Sequence, residues 1–157
     1  MKYIVWTFVG LFCQLFSTQT FSQDVRWTKF ENLNDSIRLE AKPILIFIHA
    51  DWCKFCEMQQ NTTFKNESVV EVLNEEFYSL KLDGEQREDI RFMNRSYSYV
   101  SSGDETGAHE LADFLGNEGG QLTYPTTVFL SKKMQVLGKK VGLVESDELL
   151  ILLQKIK

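Results

Sequence analysis

Ile44-Leu45-Ile46-Phe47-Ile48-His49-Ala50-Asp51-Trp52-Cys53-Lys54-Phe55-Cys56 is the stretch on which the reading of this chain turns. Its first five residues form a continuous apolar run, as expected of a central strand covered on both faces. Two cysteines three residues apart then stand where that strand ends and a helix begins. A helix start directs unpaired backbone N–H groups and the positive end of its dipole at whatever sits there. A thiol at that place ionises more readily, and the thiolate is the reactive form. Cysteines at i and i+3 are also close enough to join as a disulfide. The pair therefore predicts chemistry rather than packing.

The rest of the cysteine count supports that expectation. The chain has three cysteines, and Cys13 lies in an N-terminal segment unlike the remainder. Lys2 supplies one positive charge, Tyr3 to Phe16 is largely apolar, and a polar stretch leads to Thr20-Phe21-Ser22-Gln23. Cleavage after Ser22 would place small residues at −3 and −1, the layout of a secretory signal, so residues 1–22 are expected to be a signal peptide. A membrane anchor is the competing reading, although the apolar stretch is short for a span and no basic stop-transfer cluster follows it. Removal of this segment leaves Cys53 and Cys56 alone. A single close pair closes a tiny loop and stabilises little by chain entropy, and a disulfide-stapled scaffold would carry several bridges.

Composition bounds the remaining choices. With 157 residues, 43% of them hydrophobic and 13% aromatic, the chain suits one compact domain over residues 23–157 with a substantial core. Its formal net charge of −5 argues against nucleic acid or an anionic membrane surface as partner.

Periodicity places the elements. Val25 to Trp27 reads as a short strand, Glu31 to Lys42 as a helix ended by Pro43, and Cys53 to about Thr63 as the helix carrying the pair. Ser68 and Glu71 have the spacing of a capping box for a helix through Leu73. Phe77 to Leu82 alternates as a strand. Thr127 to Leu130 and Met134 to Val141 are two more strands, joined by a polar turn. A last helix opens at Ser146, with Leu149, Leu152, Leu153 and Ile156 on one face. The order, roughly βαβα–βα–ββα, predicts an α/β sandwich with helices on both faces of a sheet. Residues 84–122 are far longer than a crossover requires and read as an insertion with a helix from Glu105 to Leu115.

At this point the sequence resembles the thioredoxin superfamily. The resemblance rests on Lys42-Pro43-Ile44-Leu45-Ile46-Phe47 leading into Ala50 to Cys56, on Thr63-Phe64 and Leu80-Lys81-Leu82-Asp83 in order, and on Tyr124-Pro125-Thr126-Thr127 before the final hairpin. It covers about Arg26 to Asp83 and Leu122 to Lys157, and is similar in flavour to the C-terminal domain of the thiol–disulfide interchange protein of bacterial envelopes. It implies a three-layer sandwich with a central mixed sheet, helices on both faces, and the insertion placed before the strand that follows a cis-proline. The implied activity is thiol–disulfide exchange on proteins, more in the direction of reduction, in the periplasm. Cys53 would be the attacking thiol and Cys56 the buried resolving one. Pro125 would be the cis-proline, whose loop makes Tyr124 and Thr126 substrate contacts, and Trp52 would flank the redox pair. Lys54 would favour the Cys53 thiolate. The expected partners are proteins bearing disulfides or dithiols and a second redox protein that donates or accepts electrons. No cofactor, metal or nucleic acid is implied, and a monomer is expected.

Two departures qualify the pattern. The family often carries a buried acid six residues before the first cysteine, and here that position is Phe47. The Lys-Phe dipeptide between the cysteines is not the Gly-Pro of thioredoxin itself. His49 is read either as turned to the other sheet face and buried neutral, or as a base. His109 is read either as a solvated surface side chain or as a proton carrier brought near Cys53 by the insertion's helix. Two rival functions stand beside the redox reading. One is a zinc site using Cys53, Cys56 and a histidine. The other is a redox-inactive binding or chaperone module on the same fold.

Overall fold

The structure, a computed structural model, describes residues 24–103 and 106–156. The expected signal peptide lies outside them, as does Glu105. No helix of the described residues is long and apolar enough to cross a membrane.

Helix α1 covers Phe30–Leu39 and buries Leu33. It stops earlier than the sequence suggests, because Glu40 is already extended at φ −148° and the chain stays open to Pro43, which disfavours helix in the residue before it. Strand β1 (Ile44–His49) follows, then α2 (Lys54–Asn61) and a 3-10 turn at Thr63–Lys65. Helix α3 spans Glu67–Glu76. Its cap is Asn66, whose Oδ1 accepts from Val69 N at 3.2 Å, rather than Ser68, which lies two residues later inside the helix. Strand β2 is Tyr78–Asp83. The expected strand at Val25 reduces to a single bridge from Trp27 to Ser79 at the sheet edge.

Two strands complete the sheet, β7 (Thr126–Leu130) and β8 (Val136–Val141), before α5 (Ser146–Ile156). The order is β2-β1-β7-β8. β1 runs parallel to β2 and antiparallel to β7, so the sheet is mixed. Residues Ile44 to Ile48 of β1 have 0% exposure, because helices cover both faces of this strand.

The two faces of β1 divide the core. Leu45 and Phe47 pack with Cys53, Cys56, Phe64 and apolar residues of α3 and α5. Ile44, Ile46 and Ile48 pack on the other side with Leu33 of α1 and with residues of the insertion. That insertion contains more order than its sequence shows. Strands β3 (Ile90–Phe92) and β4 (Arg95–Tyr97) form a hairpin whose turn residues Met93 and Asn94 both have positive φ, 51° and 64°, as a tight two-residue turn requires. A second hairpin joins β5 (Tyr99–Ser101) to β6 (Gly107–His109). Helix α4 therefore starts only at Glu110 and runs to Gly116. The residues that read as its first turn, including Ala108, pair instead with β5, and cross-strand pairing outweighs local helix preference. Leu111, Ala112 and Leu115 of α4 are buried against Ile44, Ile46 and Ile48. The helix thus docks on the sheet face opposite the cysteines and does not narrow access to Cys53.

Candidate active site

The cysteine pair is built by the end of β1. Cys53 is the N-cap of α2, and its Sγ accepts a hydrogen bond from Cys56 N at 3.1 Å. The two sulfurs are joined as a disulfide, with the Cα atoms 5.2 Å apart. Cys53 is 5% exposed and Cys56 1%, so the first cysteine is the more accessible of the two and the second is sealed in the core. A backbone N–H aimed at Cys53 Sγ is the local form of the helix-start effect, since it would stabilise negative charge on that sulfur once the disulfide is reduced.

The rim of the site is made from three parts of the chain. Trp52 is 66% exposed, which excludes a role as core. Its Nε1 donates to Glu85 Oε1 at 2.9 Å, and its ring meets that of Tyr124 edge-on at 5.8 Å. The Tyr124–Pro125 peptide bond is cis. Tyr124 is half-buried, and burial, reinforced by the Glu85, Asp83 and Asp113 carboxylates, pushes its phenol well above the usual tyrosine range, so it stays a neutral donor. Its ring lies against Gly84, whose N–H donates to His49 O and whose carbonyl accepts from His109 N, both at 2.7 Å. The insertion thus enters the site through Gly84 and Glu85, at its beginning rather than through its helix.

Other expected residues are placed differently. The side chain of Thr126 is buried, and its Oγ1 donates to Thr123 O at 2.7 Å, so only its main chain can meet a substrate. The Lys54 ammonium pairs with Glu57 Oε2 at 3.1 Å in open solvent, where such pairs are weak and the lysine charge is shared and screened. His109 is not a surface residue. It is fully buried, Nδ1 accepts from Leu111 N at 3.2 Å, and Nε2, which then carries the proton, faces Glu88 O at 3.2 Å. Nδ1 caps α4 and Nε2 ties that cap to the loop at Glu88, which leaves neither nitrogen for proton transfer at Cys53.

His49 also departs from the first reading. A residue two positions from Phe47 on a strand shares its face, and the two rings stack at 5.7 Å with 18° between planes, on the side that carries the cysteines. Burial and the neighbouring Lys81 push the imidazole below its ordinary value of 6.5, against a smaller opposing pull from Asp83 and Asp51. Phe47 itself is fully buried among Trp27 and Phe64, with ring centroids 6.3 and 5.0 Å away. Among the described residues no group of three or more His, Cys, Asp or Glu side chains is arranged to hold a metal ion.

One residue gives no signal in the sequence. Gln59, beside a second glutamine on what reads as a polar turn, is completely buried. Its Nε2 donates to Thr127 Oγ1 at 3.2 Å and its Oε1 accepts from Val144 N at 3.0 Å, tying α2 to β7 and to the approach of α5. Phe55 and Met58, by contrast, are 60% and 48% exposed beside the pair and extend the apolar rim begun by Trp52.

Comparison with known proteins agrees with this geometry. The family model Thioredox_DsbH, described as a protein of unknown function, DUF255, matches residues 14–146. Human Spermatogenesis-associated protein 20 is 38% identical over 56 residues, which is 36% of this chain and 7% of that protein. The chain thus spans less than a tenth of that relative. Among solved structures, a thioredoxin from Thermus thermophilus superposes with a TM-score of 0.60 at 18% identity, covering 85% of this chain and 87% of its own. A DsbH oxidoreductase does so at 0.55 and 14% identity, with the same coverage. These likenesses are of fold.

Proposed function

This chain belongs to the Thioredox_DsbH family of thioredoxin-fold proteins, and on that premise we propose that it is a thiol–disulfide oxidoreductase acting on protein disulfides through Cys53 and Cys56. The observation that carries the reading is Cys53 as N-cap of α2, its sulfur accepting the Cys56 N–H while Cys56 lies sealed beneath it. In the reducing direction the Cys53 thiolate attacks one sulfur of a substrate disulfide. The substrate S–S bond breaks, its departing sulfur takes up a proton, and Cys53 is left in a mixed disulfide. Cys56, having lost its proton, attacks Cys53 Sγ, expels the second substrate thiolate and forms the internal disulfide. Two electrons pass to the substrate, and a separate redox protein must return them.

Reduction is the direction we assign, supported by the resemblance to the exported interchange-protein domain. Residues 1–22 are read as the signal that delivers the domain to the periplasm. Trp52, Tyr124 and the main chain around Pro125 and Thr126 form the surface that receives the substrate, a reading supported by the exposed Trp52 ring and its edge contact with Tyr124 beside the cysteines. Insulin reduction tests the activity, and Cys56→Ser should accumulate mixed disulfides with substrates whereas Cys53→Ser should not. The opposite trapping pattern reverses the two roles. No reduction of insulin and no trapping by either variant leaves the redox-inactive binding module as the reading. A Cys53–Cys56 potential well above that of the glutathione pool makes the protein an oxidant instead.

A further inference from the structure

Cys56 and Gln59 stand three residues apart on α2, so their side chains share one face of the helix. Both are sealed in the core, at 1% and 0% exposure. A buried amide has to find its hydrogen bonds inside the protein, and Gln59 directs both of its own toward the chain around Pro125. Its Nε2 donates to Thr127 Oγ1 at 3.2 Å, and Thr127 lies on β7 two residues after the proline. Its Oε1 accepts from Val144 N at 3.0 Å. Val144 lies two residues after Gly142, whose N–H donates to Pro125 O at 2.8 Å. The bonds close a ring that runs from Pro125 through Gly142 and Val144 to Gln59, and from Gln59 through Thr127 back to Pro125.

Resting on the oxidoreductase reading, we propose that Gln59 is a positioning residue that sets where the proline loop stands relative to the cysteine helix, and so serves disulfides carried on a polypeptide rather than small ones. A polypeptide substrate has two contacts to make at once. Its sulfur meets Cys53 Sγ at the start of α2, and its backbone meets the main chain around Pro125 and Thr126. These belong to different elements, so one chain reaches both only while their separation is held. A small disulfide needs the sulfur alone.

The other contacts between the two elements do not fix that separation. Tyr124 packs against the cluster that contains both cysteines, and its ring meets Trp52 edge-on. Apolar burial of this kind is non-directional and tolerates sliding, whereas a hydrogen bond weakens steeply once its angle is lost. The remaining polar side chains nearby are tied elsewhere. Gln60 bonds to Cys56 O within the helix and to Lys81 of β2, and Thr126 Oγ1 bonds locally to Thr123 O. Thr63, just beyond α2, reinforces the ring, its Oγ1 donating to Val144 O at 2.6 Å.

The test mixes the fully reduced protein with insulin or with hydroxyethyl disulfide and compares the two second-order rates. Gln59→Met keeps the length of the side chain and removes both hydrogen bonds. It should slow insulin reduction about tenfold, within the loss of up to roughly a hundredfold that a misplacement on the order of 1 Å brings, and leave hydroxyethyl disulfide unchanged. Thr127→Val removes only the hydroxyl that Gln59 reaches. It should reproduce part of the insulin loss and add nothing further in the Gln59→Met background. A role in stability alone would lower the melting temperature and leave the ratio of the two rates as it is. Should Gln59→Met not fold, Thr127→Val decides. An unchanged ratio in a folded variant overturns the assignment while leaving the oxidoreductase reading in place. A wild type that reduces neither substrate sinks that reading, and the positioning role with it.

Discussion

The ring of Tyr124 occupies the space that a side chain on residue 84 would need: its Cζ lies 2.6 Å from the point where a Cβ on Gly84 would stand. The absence of a side chain at the start of the insertion is what lets the residue before the cis-proline set its ring edge-on against Trp52. Gly84→Ala should push that ring outward and cost about 1–3 kcal/mol, the usual range for overpacking. Thermal or urea unfolding checks this. In a Tyr124→Leu background the same change should cost clearly less, and additive costs would show that the two residues do not compete for one space.

His49 makes stability depend on pH. Its folded value lies below 6.5, so between that lower value and 6.5 the unfolded chain binds more protons than the folded one. The contribution is fully present above pH 6.5 and is lost as pH falls through that window. His49→Gln should therefore flatten the fall in melting temperature below pH 6.5 relative to wild type. Parallel curves for the two proteins would remove His49 as the cause.

Gln59→Leu should lower stability by about 1–3 kcal/mol although leucine suits a buried site. The change strands the Val144 N–H and the Thr127 hydroxyl, both now served by the amide. Denaturant midpoints at unchanged slope measure it. A neutral or stabilising result would mean that water enters to satisfy both groups.

Excision of residues 96–119 with a short Gly/Ser bridge should abolish folding rather than merely change substrate range. It removes Leu111, Ala112 and Leu115, all buried against β1. At about 1.5–3 kcal/mol for each large apolar side chain, the two leucines alone represent a large part of a typical domain stability of roughly 5–15 kcal/mol. A cooperative melt and native circular dichroism in the excised protein would contradict this.

The residues from Ile44 to Cys56 announced the central strand, the helix start and the redox pair because each signal there is local. An apolar run, a strand-to-helix boundary and two cysteines one turn apart need no distant partner to be read. The same holds for α5, whose apolar spacing repeats at the helical period. The insertion was opaque for the opposite reason. Ala108 belongs to a strand only because Val100 lies across from it, and Gly107 to His109 have no strand preference strong enough to show without that partner.

The sequence by itself determined where the two thiols stand, at the start of a helix directly after a buried strand, because that boundary and the cysteine spacing are local signals. Only the tertiary structure decided what surrounds them. It turned His109 inward to cap α4, left Trp52 in solvent beneath the reach of Glu85, sent α4 to the far face, and raised Lys81 beside Gln60. Side-chain surroundings depend on which elements stack and in what register. These are set by the burial of both faces of β1, a property of the whole chain that no short stretch encodes.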